Sequence, residues 1–308
     1  IDGFEFYVNE FVEKADFWFV IEGVLPDDPG TRIASNRMIF LQAEIARPLD
    51  FFCSSADRRK QMSQFARVYG PLPYFDGPYE NAPPFLPWFI NSPDASSEAG
   101  KRDFDFLAQN FSVKKDREIS MILSSKTQNP YHRVRLEFAQ RVSQHFGTKL
   151  DWFGNGVDNI ENKWDGLAPY RHTIVLENSQ IRNGITEKLV DSALCLTTPI
   201  YSGAPNVNDY FPDDFCTRID VGDLDFSVSE IERVLESGNE TILETKLLSI
   251  RSRALDNFSL FHRIARLAKE ISSKEIAGPS IAREIWSIPR PLPKDSWPGH
   301  IREFLRRR

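Results

Sequence analysis

Residues 170–210 read YRHTIVLENSQIRNGITEKLVDSALCLTTPIYSGAPNVNDY, and this stretch decides how the chain folds. The apolar and β-branched run over 172–176 predicts a buried strand that delivers Glu177-Asn178-Ser179 at its carboxyl end. A polar loop follows, and Thr186-Glu187-Lys188 opens a helix expected over 187–196. Thr186 suits an N-cap, Glu187 suits a first turn, and Lys188 can face an anion from the same turn. A second strand, over 198–201, leads into Gly203-Ala204-Pro205-Asn206-Val207. Ligands of open α/β sheets bind outside the carboxyl ends of strands, where helix N-termini offer amides to phosphate. The segment therefore predicts a nucleotide site. A Thr-Glu-Lys helix start alone is ordinary capping beside a solvated ion pair; the consecutive order of the elements is what points to function.

Working outward, residues 118–123 read as a strand and 133–146 as a helix, with Val134, Phe138, Val142 and His145 or Phe146 on one side. Upstream, residues 4–8, 17–21 and 38–41 are short apolar strands separated by polar or helix-like connections, the rhythm of a parallel sheet with crossover helices. Residues 69–93 turn to proline, glycine and aromatics, which excludes regular helix because proline removes donors and fixes φ. Residues 229–268 are helix-rich, with apolar residues at helical intervals. The expected organisation is a first Rossmann-like lobe over 1–112, a second over 113–277 and an extension over 278–308. Because the chain opens at Ile1 on a strand-like run, the first lobe is expected to lack its start.

The chain has 308 residues, 41 % hydrophobic and 27 % charged, enough for two packed lobes. A formal charge of −6 argues against a general nucleic-acid binder, which needs a basic face, but leaves room for a small anionic ligand. Cys53, Cys195 and Cys216 are odd in number and widely spaced, so no disulfide framework is expected and a reducing, cytoplasmic setting fits. No apolar run approaches the ~18 residues of a membrane span. The five histidines show no ligand spacing, so a structural zinc site is not expected. Asp223-Leu224-Asp225 has the form of a metal-chelating Asp-x-Asp, yet its place after the nucleotide loop reads better as a cap. Residues 301–308 set Phe304 and Leu305 among arginines, a solvated tail or a weak peripheral contact with an anionic membrane.

The order Glu-Asn-Ser, Thr-Glu-Lys, Pro-hydrophobic-Tyr and Gly-Ala-Pro-Asn-Val resembles the donor-binding half of the α-1,3/4-fucosyltransferases, glycosyltransferase family 10, of which this chain looks like a divergent member. The resemblance is strong over 118–220, weaker over 38–77 and absent after about residue 269. It implies a GT-B fold, two Rossmann-like lobes with a central cleft, and transfer of fucose from GDP-fucose to a glycan acceptor with inversion, in surface polysaccharide or glycoconjugate synthesis. It also implies donor contacts for particular residues. Arg135, three positions before Phe138, matches the diphosphate-binding arginine, with Arg133 in competition; Asn178 would hydrogen-bond the donor, Glu187 the ribose hydroxyls, and Lys188 the diphosphate. Thr186 shapes the same turn.

Inverting transfer needs a carboxylate to take the acceptor proton. The family's base follows a first-lobe strand in a Glu-x-x-x-Pro context, matched by Glu44 with Pro48. Glu44 paired to Arg47 as a plain strand-end carboxylate is the alternative, and Glu22 is the second candidate base. No cofactor or metal is expected, since cationic side chains and a helix terminus can neutralise a leaving diphosphate. Two departures concern the sugar: the family's tyrosine before hydrophobic-Thr-Glu-Lys is Gly184 here, and the tryptophan of its Tyr-Trp-Gly is Ser202. A different nucleotide sugar, or a non-catalytic nucleotide- or glycan-binding module of a larger assembly protein, therefore stays open.

Overall fold

The computed structural model describes residues 1–22, 30–43, 45, 60–73, 78–91, 102–109, 111–125, 127, 130–237 and 244–285. Two compact units emerge: residues 3–81 with 268–308, and residues 82–267 with 1–2. Each is built on a parallel sheet, so the α/β class expected from the strand–helix rhythm is what the chain adopts.

In the first unit, strands β1 (Trp18–Ile21), β3 (Met38–Leu41), β4 (Arg67–Gly70) and β5 (Tyr79–Asn81) lie side by side in that order, all parallel. Every residue of β3 is buried, as a central parallel strand requires. Val20, Met38, Phe40, Met62, Phe65 and Val68 form the core, with Phe40 and Phe65 tilted at 5.2 Å between centroids. A separate antiparallel pair joins β2 (Thr31–Ala34) to β11 (Ser280–Arg283). Residues 4–8 are not a strand, and Tyr7 and Val8 are exposed; extended propensity without a paired edge does not make a sheet.

In the second unit, β6 (Arg117–Ile122), β7 (Leu150–Phe153), β8 (Tyr170–Leu176), β9 (Thr198–Ser202) and β10 (Thr217–Arg218) form a parallel sheet in the order β10-β9-β8-β6-β7. Helices α1 (Phe104–Ala108), α2 (Pro130–Phe146), α3 (Lys163–Leu167), α4 (Glu187–Leu194), α5 (Leu224–Glu236) and α6 (Glu244–Phe258) belong to this unit, whereas α7 (Leu260–Lys274) is divided after Leu267. Alternation along the strands fills two cores. Ile174, Leu176 and Ile200 meet Phe138 and Val142 of α2 and Ile231 of α5, while Val175 and Tyr201 meet Leu189 and Ala193 of α4 and Ile250 and Ala254 of α6.

The units divide the chain elsewhere than at residues 112 and 277. Ile90 and Leu107 sit in the second unit's core, drawing the segment after Asn81 into it. Pairing of β11 with β2 ties residues 280–283 to the first unit. Among its described residues the proline-rich stretch opens on the end of β4 and holds β5, which is short enough to fit between prolines. Helix α2 buries Phe138, Val142 and Phe146 of the expected stripe together with Arg135 and Ala139, while Val134 and His145 face solvent; in the first turn Arg135 takes the inward place expected of Val134.

Candidate functional site

Strand order in the second sheet reverses about β6: the chain goes to β7 on one side, then to β8, β9 and β10 on the other. The carboxyl ends of β6 and β8 therefore flank a topological switch point, where α/β sheets open a crevice for ligands. Residues 177–188 and the first turns of α2 converge there.

Glu177 follows directly on β8 and is fully buried. Its carboxylate accepts from the Thr186 amide at 2.8 Å through Oε1 and from the Thr186 hydroxyl at 2.7 Å through Oε2. Thr186 in turn caps α4, its Oγ1 accepting from the Lys188 amide at 3.3 Å. Strand end and helix start are thus clamped through one residue. Burial raises the Glu177 pKa, and Lys188 and Thr186 oppose that rise. A Cβ on Gly203 would overlap the Tyr201 hydroxyl and Glu177 Cγ, so only glycine lets the β9 loop pass this close.

The Lys188 ammonium lies 3.1 Å from Thr186 Oγ1, 3.3 Å from Glu187 Oε1 and 3.6 Å from Glu177 Oε2. It rests over the cap between two carboxylates. A second ammonium, Lys163 of α3, sits 2.9 Å from Asp191 Oδ2 and 3.9 Å from Glu187 Oε1. Asp191 is fully buried and also accepts from the Phe89 amide at 3.0 Å. Burial raises the Asp191 pKa against the pull of Lys163; burial works to lower that of Lys163, but Asp191 and Glu187 outweigh it and the pKa stands raised. Arg135, 4 % exposed, donates from Nη1 to the Leu176 carbonyl at 3.0 Å, and its Nε is buried without a hydrogen-bond partner. Burial lowers its pKa, with Glu177, Tyr131 and Glu187 opposing.

Asn178 carries a buried Oδ1 without a hydrogen-bond partner. Loop residues beyond it are latched to the loop after β9. Asn183, at φ 60°, donates its amide to Asn206 Oδ1 at 2.7 Å, and its own Oδ1 accepts from Asn206 Nδ2 at 2.7 Å and from the Tyr210 hydroxyl at 2.9 Å. Ser202 accepts from Gln180 Nε2 at 3.0 Å. A Cβ on Gly184 would meet Ile181 Cγ1 at 2.8 Å, so a tyrosine there requires the loop to shift.

The structure thus gathers Arg135, Asn178, Thr186, Glu187 and Lys188 about the carboxyl end of β8, while Arg133 is exposed on α2. Glu44 lies outside the described residues. Glu22 is described: it follows directly on β1 at φ 59°, and its Oε1 accepts from the Ala43 amide at 2.5 Å. Asp223 is the N-cap of α5, accepting from the Phe226 amide at 3.1 Å, which is the capping role read from its position. Among the described residues no group of three His, Cys, Asp or Glu side chains is placed to hold a metal ion, and no helix is long and apolar enough to cross a membrane. Residues 301–308, the tail considered for membrane contact, lie outside the described residues, as does Cys53; Cys195 and Cys216 are free and buried. Sequence reasoning missed Glu177, Lys163 and Asp191. Glu177 was visible as the first letter of Glu-Asn-Ser; nothing local marks Lys163, whose partners are 24 and 28 residues away.

No family model matches the chain. A stretch of 75 residues, 24 % of this chain, is 33 % identical to an α-(1,3)-fucosyltransferase of Helicobacter pylori and spans 16 % of that protein's length. Solved structures similar in backbone include an α1,3-fucosyltransferase with GDP-fucose, at TM-score 0.45 and 17 % identity over 86 % of this chain and 78 % of that one. A trehalose-6-phosphate synthase aligns at TM-score 0.45 and 9 % identity over 81 % of this chain and 70 % of that one.

Proposed function

We propose that this chain is a GT-B glycosyltransferase that transfers fucose from GDP-fucose to a glycan hydroxyl with inversion, in the synthesis of surface polysaccharide or glycoconjugate. The observation that carries the reading is the cluster at the switch point: a Thr-capped helix N-terminus, Lys188 and Arg135 beside an orphaned Asn178 acceptor, at the end of the sheet's central strand. A helix start with two cations can hold a diphosphate and stabilise the charge that develops as it leaves. The local match to an α-(1,3)-fucosyltransferase supports the same chemistry. In the reaction the acceptor oxygen attacks the anomeric carbon opposite the nucleotide, Glu44 takes its proton, and the sugar–phosphate bond breaks to release GDP. We assign no metal to this step.

Lys188 is held by two carboxylates and must exchange part of that pairing for the diphosphate. Saturating GDP is expected to raise the melting temperature by several degrees, and Lys188→Ala to remove most of that shift. An unaltered protein whose melting ignores GDP would overturn the reading. Glu44→Gln should keep the shift and lose transfer. Gly184 and Ser202 favour a second reading, the same fold with another nucleotide sugar, because the loop around Ile181 is packed for a residue without a side chain. A larger shift with UDP, dTDP or CMP than with GDP would select it.

A further inference from the structure

We infer that Lys163 and Asp191 are a positioning pair that fixes Glu187 as a hydrogen-bond acceptor in the donor site. The inference rests on the donor reading above and assigns work to two residues outside it. Glu187 and Asp191 are one helical turn apart on α4, so their carboxylates share a face and repel unless a cation stands between them. Lys163 is that cation, at 2.9 Å from Asp191 Oδ2 and 3.9 Å from Glu187 Oε1.

The cation is itself anchored. Asn162 caps α3 by accepting from the Asp165 amide at 3.1 Å, the Trp164 amide donates to the Ile90 carbonyl at 3.3 Å, and the Trp164 indole packs against the second unit's core. Asp191 spends its other oxygen on the Phe89 amide at 3.0 Å, so it cannot swing away from Lys163 without losing a buried bond. The Lys163 ammonium also lies 5.8 Å from the Phe89 ring centroid, within cation–π range. A carboxylate, an ammonium and a backbone amide from three segments thus converge behind Glu187.

Among the described residues, the charged groups facing Glu187 include Lys188 and Asp191 on its own helix, Lys163 from α3, Glu177 from the end of β8 and Arg135 from α2. Without Lys163, the Glu187 carboxylate would lose one of its cations while Asp191 and Glu177 still repel it. It would then take up a proton more readily, or turn wholly toward Lys188 and compete with a diphosphate for that ammonium. Either change damages nucleotide binding without touching the nucleotide. A purely structural ion pair would not do so: replacing both partners of a buried pair is often neutral for stability, whereas removing one is costly.

The test uses the whole chain and GDP as the probe, titrated calorimetrically from pH 5 to 8. Lys163→Met is expected to weaken GDP about tenfold and to move the acidic loss of binding up by about one pH unit, while Lys163→Arg retains affinity within a few-fold. Because Lys163→Met leaves a buried carboxylate unpaired and can fail to fold, Lys163→Met/Asp191→Asn is made beside it. Its asparagine still accepts from Phe89 and no longer repels Glu187, so the expected result is a near-normal melting temperature, a smaller acidic shift, and a persisting loss of affinity because Glu187, released by Lys163, turns toward Lys188. A folded double variant with unaltered GDP affinity and pH profile overturns the positioning role and leaves the donor reading intact. Absence of GDP binding in the unaltered protein overturns the donor reading and this inference together.

Discussion

The two parallel sheets end their strands in different ways. In the second unit the strand order reverses about β6, and the carboxyl end of β8 carries a buried charge: Glu177 holds the Thr186 amide and hydroxyl with Lys188 beside it. In the first unit the parallel sheet orders its described strands β1-β3-β4-β5 without a reversal; Glu22 after the edge strand β1 is charged, but the residue directly after the inner strand β3 is neutral. There Gln42, directly after β3, donates from Nε2 to the Leu72 carbonyl at 2.9 Å and accepts from the Leu72 amide at 3.0 Å through Oε1. Both devices pin a following loop to a strand end. An amide satisfies one residue's donor and acceptor and presents no charge; a carboxylate with a lysine costs desolvation and makes a field. Such a cost is retained where an ion must be recognised, which favours the reversal as the place of the proposed nucleotide binding.

Glu177→Leu is the sharpest way to break that comparison. It strands the two buried Thr186 donors and takes one of two carboxylates from the partly exposed Lys188 ammonium, and the expected loss is ~3–5 kcal/mol in urea unfolding, with the GDP-induced shift gone. A cost near zero would show that α4 does not depend on the buried carboxylate. Gln42→Leu tests the neutral counterpart. It leaves the Leu72 amide and carbonyl without their partner, for an expected ~2 kcal/mol, yet GDP affinity should stay unchanged. Weakened GDP binding in this variant would erase the division of labour between the sheets.

Much of the charged end was legible in the sequence because its signals are local. The apolar run of β8, Thr186 as cap and the acid-then-base pair Glu187-Lys188 lie within 19 residues and obey strand and helix-start rules. What was not legible depends on distant partners. β2 finds β11 almost 250 residues later, and neither is apolar enough to announce itself. Residues 4–8 are as aromatic as a strand and are not one. On α2 the apolar stripe placed Val134 inward, but Arg135 is buried instead, because its guanidinium answers the Leu176 carbonyl at 3.0 Å. Periodicity has no term for a buried arginine satisfied by a strand end. Lys163 is the same case: a five-residue helix with a single lysine is silent until the fold sets it beside Asp191.

The opposite end of β8 offers a smaller and subtler probe of the charged unit. His172 lies inside the strand, and burial pushes its pKa down to about 4, with Glu118 opposing and Arg171 and Lys115 assisting. The native strand therefore refuses a proton that the unfolded chain accepts below its ordinary value near 6.5. Between those two values the unfolded state binds more protons, so stability falls as pH falls and returns as pH rises. From pH 7 to 5.5 this one residue should remove about 1 kcal/mol. His172→Gln carries no titrating ring, so that share of the acid slope should vanish from urea midpoints measured across the same window, at whatever fixed offset the amide brings. None of the five histidines lies within the described part of the first unit, so the slope should follow the melting of the second unit, read near Trp152 and Trp164, and not that near Trp18. An unchanged slope in His172→Gln would mean that this ring is hydrated enough to titrate normally.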